Sequence, residues 1–140
     1  MSEKKTFYVT TPLYYANDEL HIGHAFSTLA ADILSRFHRS MGEEVFFLTG
    51  SDEHGQKVEQ SAKKSGLTPQ EHTDKLVAKF QSLWRLLDIT NDDFIRTTEE
   101  RHKIVVTHVL NKLWEKGDIY VDNYSGWYCT PCERFWTCLL

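Results

Sequence analysis

Between Glu44 and Thr49 the chain reads Val45-Phe46-Phe47-Leu48, a continuous apolar run of strand length with polar residues on either side. A run without alternation needs cover on both faces, which is how a central parallel strand reads, so the chain is constrained to an α/β class. The preceding residues agree. Phe7-Tyr8-Val9-Thr10 is short, aromatic and β-branched, and Pro12 cannot donate to a sheet ladder, so a strand is expected to end there. A loop with Asn17-Asp18 follows. From His24 to about Met41 the residues Phe26, Leu29, Ala30, Ile33, Leu34 and Phe37 recur at helical spacing, and Gly42 supplies a stop. This predicts a helix that buries that face, and strand, helix, strand is a βαβ unit.

Further on, Thr68-Pro69-Gln70-Glu71 combines an N-cap hydroxyl, a proline at the first helical position and a reciprocal glutamate. The helix it opens is expected to bury Leu76, Val77, Phe80, Leu83, Trp84 and Leu87. Thr97-Thr98-Glu99-Glu100 is a second capping signature, for a helix with Val105, Val109, Leu110, Leu113 and Trp114 turned inward and a stop at Gly117. Phe94 and Ile95 form a short strand ahead of it. From Ile119 the text turns aromatic, glycine- and cysteine-containing, which places a boundary near Gly117 and separates 1–117 from 118–140. There are no internal repeats and no low-complexity stretches.

Composition narrows the classes. A chain of 140 residues that is 41% hydrophobic and 26% charged can bury one core and cover it. No apolar run approaches bilayer length, and Met1-Ser2-Glu3-Lys4-Lys5 lacks a signal-peptide core, so a soluble cytoplasmic protein without a membrane partner is expected. A formal charge of −4 leaves no global basic footprint for nucleic acid. All three cysteines lie between Cys129 and Cys138, which fits a metal site or free thiols better than a disulfide framework. Cys129-Thr130-Pro131-Cys132 is half of a tetrahedral thiolate zinc site, with Cys138 as a third ligand; a redox pair or plain reduced thiols are the alternatives.

His21 and His24 lie where the first strand's loop enters the first helix, three apart and therefore on one side of it. A helix start offers unpaired N–H groups and a partial positive charge, a seat for phosphate, and Gly23 adds no side chain to keep a nucleotide ring away. By spacing alone the two read better as a loop histidine and a helix-end histidine than as ligands. Their place after the first strand of a βαβ unit favours a ligand, because open α/β sheets bind beyond the carboxyl ends of their strands. Thr49-Gly50-Ser51-Asp52-Glu53-His54-Gly55-Gln56-Lys57 ends the second strand and is expected to border the same crevice, although each of its charges alone reads as a solvated turn.

Thr10-Thr11-Pro12-Leu13-Tyr14-Tyr15-Ala16-Asn17, then His21-Ile22-Gly23-His24, then Phe47-Leu48-Thr49-Gly50-Ser51-Asp52-Glu53-His54-Gly55-Gln56-Lys57 closely resembles the opening of class I methionyl-tRNA synthetases. The likeness continues through Tyr124-Ser125-Gly126-Trp127-Tyr128-Cys129 to Thr137. It implies the N-terminal half of a Rossmann-like parallel sheet with flanking helices, followed by the start of a small zinc-ribbon-like connective insertion. It also implies ATP, with Mg2+, as substrate, methionine as the acid activated to an adenylate, and tRNA(Met) as acceptor. By motif, His21, Gly23 and His24 would bind ATP, and the two histidines would stabilise the transition state. Leu13, Tyr15 and Asp52 would bind methionine, Asp52 through the α-ammonium, and Cys129 with Cys132 would hold Zn2+.

Such an enzyme also needs the second half of its nucleotide fold, a Lys-Met-Ser-Lys-Ser loop and an anticodon-reading helical domain, and Cys138-Leu139-Leu140 departs from the polar continuation expected there. The expectation is a fragment, inactive or nearly so alone, which associates with itself or with the missing C-terminal half. Two further readings stand beside it: a cofactor adenylyltransferase with a His-x-Gly-His site, and a non-catalytic nucleotide-binding or interaction module.

Overall fold

The computed structural model describes residues 4–136. In chain order they form β1 (Thr6–Thr10), β2 (Tyr14–Tyr15), α1 (Ile22–Ser40), β3 (Glu44–Asp52), α2 (Gln56–Lys64), α3 (Pro69–Leu86), β4 (Asp93–Arg96), α4 (Glu100–Glu115), β5 (Trp127–Cys129) and β6 (Arg134–Trp136). They divide between His102 and Lys103 into two compact units.

The first unit is a parallel sheet assembled on β3, as the apolar run at its centre requires. β1 pairs with its first half, Thr6 opposite Glu44 and Thr10 opposite Leu48. β4 lies along the other edge, with Leu48 opposite Asp93 and Ser51 opposite Arg96. β2 resumes the edge that β1 leaves: Tyr14 stands opposite Ser51 and Tyr15 opposite Asp52. Between Thr10 and Tyr14 the register slips by one residue, a bulge that Pro12 makes necessary because it has no N–H for the ladder. The strand expected to stop at Pro12 therefore returns for two more residues.

Alternation gives the sheet two unlike faces. Phe47, Thr49 and Ser51 on one face are fully buried, whereas Tyr8 and Phe46 on the other are 61% and 47% exposed and touch at 5.9 Å between ring centroids. The core on the covered face joins Tyr14 and Ala16 to Leu76, Phe80 and Trp84 of α3. α3 begins as its sequence predicts: Thr68 Oγ1 accepts from the Glu71 N–H, the Glu71 carboxylate accepts from the Thr68 N–H, and Pro69 opens the helix.

Two helices depart from the pattern that their periodicity predicts. In α1 the buried residues are Thr28, Ala31, Asp32 and Ser35, while Phe26, Ile33, Leu34 and Phe37 are exposed. The small face is the one that allows close approach to the strands. Its polar groups are satisfied: Thr28 Oγ1 donates to the His24 carbonyl, Ser35 Oγ to that of Ala31, and Asp32 accepts from the Thr90 N–H at 2.7 Å and from its hydroxyl at 2.6 Å. In α4 no residue is buried, and Val105, Val109, Leu110 and Trp114 are all exposed. Periodicity marks a surface suited to cover and does not supply the cover. The capping signature at Thr97 is also spent elsewhere, because Thr97 Oγ1 accepts from the Glu53 N–H and the helix begins at Glu100.

The polar stretch after β3 forms α2. It buries only Val58 and Ala62 and starts at Gly55 without a side-chain cap, so neither periodicity nor capping announces it. In the second unit, β5 and β6 form an antiparallel hairpin with Cys129 opposite Arg134, and Glu133 takes the left-handed conformation at its turn. Thr137 and Cys138-Leu139-Leu140 lie outside the described residues. Among those described, no helix is long and apolar enough to cross a membrane.

Gly50 is where β3, β4 and the bulge come closest. A methyl group there would collide with the Ile95 carbonyl oxygen and stand 2.9 Å from Leu13 Cδ2. Gly50→Ala is expected to lower stability by about 1–3 kcal/mol in urea denaturation, the range for overpacking. Gly66→Ala, at φ +68° in open space, should cost only about 1 kcal/mol.

Candidate functional site

The site forms where β2, the start of α1 and the end of β3 meet. His21 is the N-cap of α1, with an extended backbone, and its Nδ1 accepts from the Gly23 N–H at 3.1 Å. His24 Nδ1 accepts in return from the His21 N–H at 3.1 Å. This is a capping box built from two histidines, with ring centroids 3.9 Å apart. The N–H groups expected to stand open for a phosphate are therefore engaged: Gly23 with the His21 ring, and His24 with the His21 carbonyl at 3.0 Å. With both Nδ1 atoms accepting, each neutral ring carries its proton on Nε2, which leaves that N–H as the donor an anion would meet.

Gly23 has its own role in this arrangement. A Cβ there would lie 2.8 Å from His21 Cε1 and 2.9 Å from its Nδ1, so the absence of a side chain makes room for the His21 ring first. His24 is half-buried, edge-on to Tyr14 at 5.0 Å and stacked on Phe80 at 6.2 Å. Burial lowers its pKa below 6.5, and the neighbouring His21 charge lowers it further. Tyr14 ties the corner to the core: its hydroxyl donates to the His24 carbonyl at 3.3 Å and bonds Thr28 Oγ1 at 2.7 Å.

Tyr15 and Asp52 are register partners across β2 and β3 and so share a sheet face. The Lys57 ammonium stands over the Tyr15 ring at 5.9 Å, and the Asp52 carbonyl accepts from the Ala16 N–H at 2.8 Å. Leu13, on the bulge, is 40% exposed. One short strand thus carries a residue packed on His24 and a residue beside Asp52. Glu53, which the sequence reading passed over, is the most connected group nearby. Its side chain is fully buried and accepts from Arg96 Nε at 2.7 Å and Nη2 at 3.0 Å, from Ser51 Oγ at 2.6 Å and from Thr98 Oγ1 at 2.5 Å. Burial alone would raise its pKa; the bonds from Arg96, Ser51 and Thr98 hold it below the ordinary value. Its position inside a recognised motif was the signal available.

Residues 7–138 match the family model for tRNA synthetases class I (M). This chain belongs to that family. The methionine–tRNA ligase of Caldanaerobacter subterraneus is 54% identical over 96% of this chain, and that of Thermotoga maritima 57% over 93%. Among solved structures, the Mycobacterium tuberculosis methionyl-tRNA synthetase bound by methionyl-adenylate superposes with a TM-score of 0.91 at 41% identity, over 96% of this chain and 26% of that one. A leucyl-tRNA synthetase from Agrobacterium radiobacter, in a ternary complex, gives a TM-score of 0.83 at 25% identity, over 94% of this chain and 17% of that one. The chain spans 21% of the length of each of those two curated relatives. Membership in the class I tRNA synthetases answers the cofactor-adenylyltransferase alternative and accounts for the Rossmann-like parallel sheet with its flanking helices.

In the second unit Cys129 is half-buried and Cys132 exposed, neither in a disulfide, and a hydrogen bond from Cys132 lowers the pKa of Cys129. Among the described residues no third His, Cys, Asp or Glu joins them in a cluster, and Cys138 lies outside those residues.

Because His24 Nδ1 must be unprotonated to accept from His21, this synthetase segment should lose stability on acidification. The folded pKa is the depressed one, so the contribution is complete above 6.5 and is lost as pH falls through the folded value. An NMR titration should place the His24 midpoint below 6.5, and His21→Ala should move it upward by removing the neighbouring charge. A midpoint unmoved by that substitution would break the coupling.

Proposed function

We propose that this chain is the N-terminal catalytic segment of a cytoplasmic methionine–tRNA ligase. Within the whole enzyme it would take part in ATP-dependent activation of methionine and transfer to tRNA(Met). The observation that carries this reading is the corner itself, where β2 sets Tyr14 against His24 and Tyr15 beside Asp52. The identity of more than 50% to methionine–tRNA ligases supports it.

In the proposed reaction a methionine carboxylate oxygen attacks the α-phosphorus of Mg2+-bound ATP, and the bond to pyrophosphate breaks. A terminal ribose hydroxyl of the tRNA then attacks the adenylate carbonyl and AMP leaves. The Nε2–H groups of His21 and His24 would meet the phosphate oxygens as charge grows on them, at a helix start whose field favours anions. Gly23 would let the triphosphate approach. Asp52 would accept from the methionine ammonium, while Leu13 and Tyr15 would flank its thioether side chain, which an aromatic edge suits. The open sheet face and the apolar stripe of α1 would be covered by the remainder of the enzyme or, for the segment alone, by a second copy.

Cys129 at the end of β5 and Cys132 within the turn that follows would supply two thiolates to a structural Zn2+ in a connective insertion beginning near residue 118, with the remaining ligands from elsewhere. The metal would fasten the insertion and take no part in the chemistry.

Methionine-dependent pyrophosphate exchange tests the reading in a chimera in which residues 7–138 replace the matching segment of the Thermotoga maritima relative. The chimera should be active, and His24→Ala should slow adenylate formation by about a hundredfold or more. Unchanged single-turnover activation would remove His24 from the mechanism. For the isolated segment, a separately supplied C-terminal half should bind and raise the melting temperature. A compact monomer at micromolar concentration, whose cooperative melt that half leaves unchanged, would overturn the pairing.

A further inference from the structure

We infer that Glu53 is a positioning residue for Asp52, acting through a clamp that closes on both neighbours of that aspartate. The inference rests on the reading of Asp52 as the group that holds the substrate's ammonium. Ser51 and Glu53 flank Asp52 in sequence, and the Ser51 hydroxyl donates to Glu53 Oε1 at 2.6 Å, so the two flanking side chains are joined on the covered face of the sheet. Residues i and i+2 of a strand share a face, and the residue between them is sent to the other. With both neighbours tied on the buried side, Asp52 is left on the side of its register partner Tyr15.

The clamp is anchored from beyond β3. Arg96, opposite Ser51 on β4, makes a two-pronged bond to the Glu53 carboxylate and a further bond to Asp74 of α3 at 2.5 Å. Thr98 Oγ1 donates to Glu53 Oε2, and Thr97 Oγ1 accepts from the Glu53 N–H at 2.9 Å. On the other edge the Asp52 carbonyl is held by the Ala16 N–H. The backbone on both sides of Asp52 is therefore fixed by groups from the segment after β2, from β4 and from the segment after β4, and Asp52 Oδ1 itself accepts a long bond from the His54 N–H at 3.4 Å. A carboxylate placed in this way is already ordered, so a cation that binds it does not first have to order it. Each bond in the clamp is charge-assisted or buried, the kind that holds geometry most firmly.

A double-mutant cycle in the chimera described above tests this. Glu53→Gln is expected to raise KM for methionine about tenfold, the scale for weakening a charge-assisted contact, with KM for ATP within about twofold. Thr98→Val, which removes one neutral donor, should give the same selectivity with a loss of about threefold. Because Glu53 acts through Asp52, Glu53→Gln added to Asp52→Asn should leave KM for methionine where Asp52→Asn alone puts it. Additive losses in the double variant, or equal losses for ATP and methionine in both single variants, would overturn the clamp. An Asp52→Asn variant with unchanged KM for methionine would instead overturn the substrate reading on which the clamp rests.

Discussion

Strand β3 is paired by β1 along its first half and by β2 at its end on one edge, and by β4 from Leu48 to Ser51 on the other. Every other feature of the first unit is set by that pairing. The ladder fixes which residues of β3 face the helices, and the buried set Phe47, Thr49 and Ser51 shows how polar that face becomes toward its carboxyl end. Thr49 is tolerated because its hydroxyl is bonded to that of Thr11 at 2.7 Å, and Ser51 because it donates to Glu53. Satisfied hydroxyls thus carry the strand from an apolar interior to the polar rim without an unpaired buried group.

At that rim the structure places two charges differently. Glu53 is fully buried and survives as a carboxylate because Arg96 meets it with two N–H donors while two hydroxyls add theirs. Desolvation makes such a pair a weak source of net stability, and removing one partner leaves the other charge stranded at a cost of about 3–5 kcal/mol. The pair is thus better understood as fixing geometry than as adding to stability. His24 lies at the opposite extreme: burial and a second ring keep it neutral, so that it can accept from the backbone. A group that starts neutral and donates through Nε2 can strengthen its bond as negative charge develops, without first losing a counterion.

Much of the first unit is legible in the sequence because local chemistry and tertiary packing agree there. Thr68, Pro69 and Glu71 form the predicted cap, and Leu76, Val77, Phe80 and Trp84 are buried as their spacing requires. The run Val45 to Leu48 does lie in the central strand. Legibility fails where a residue's partner is remote in sequence. Thr97 looks like a cap but serves Glu53, across β3 and β4, and the Glu53–Arg96 bond spans a separation that no local pattern encodes. It fails also for α2, whose two buried residues are too few to show a period. At the candidate site the residue types and their motif are readable, but the mutual capping of the histidines is not, since a histidine seldom serves as an N-cap.

The exposed stripe of α1 bears on how the segment relates to activity. Phe26, Ile33, Leu34 and Phe37 lie on the same helix whose first turn carries the histidine pair, and Tyr8 and Phe46 leave the sheet face uncovered on the side where Asp52 and Tyr15 stand. Exposed apolar area of this kind is unfavourable by roughly 25 cal/mol for each Å² that cover would remove from water. Cover brought over that face would also exclude water from Asp52 and Tyr15, while His24 packs on Tyr14 and Phe80 on the other face. In a lower dielectric, the attraction between a carboxylate and an ammonium, or between an Nε2–H and a phosphate, strengthens severalfold. Burial of the open sheet face and the strength of polar interactions at Asp52 are therefore coupled: a contact that relieves the apolar surface of Tyr8 and Phe46 also lowers the dielectric beside that carboxylate. The pairing of β2 with β3 holds Tyr15 and Asp52 in register within the segment, but the medium around them depends on what closes over that face.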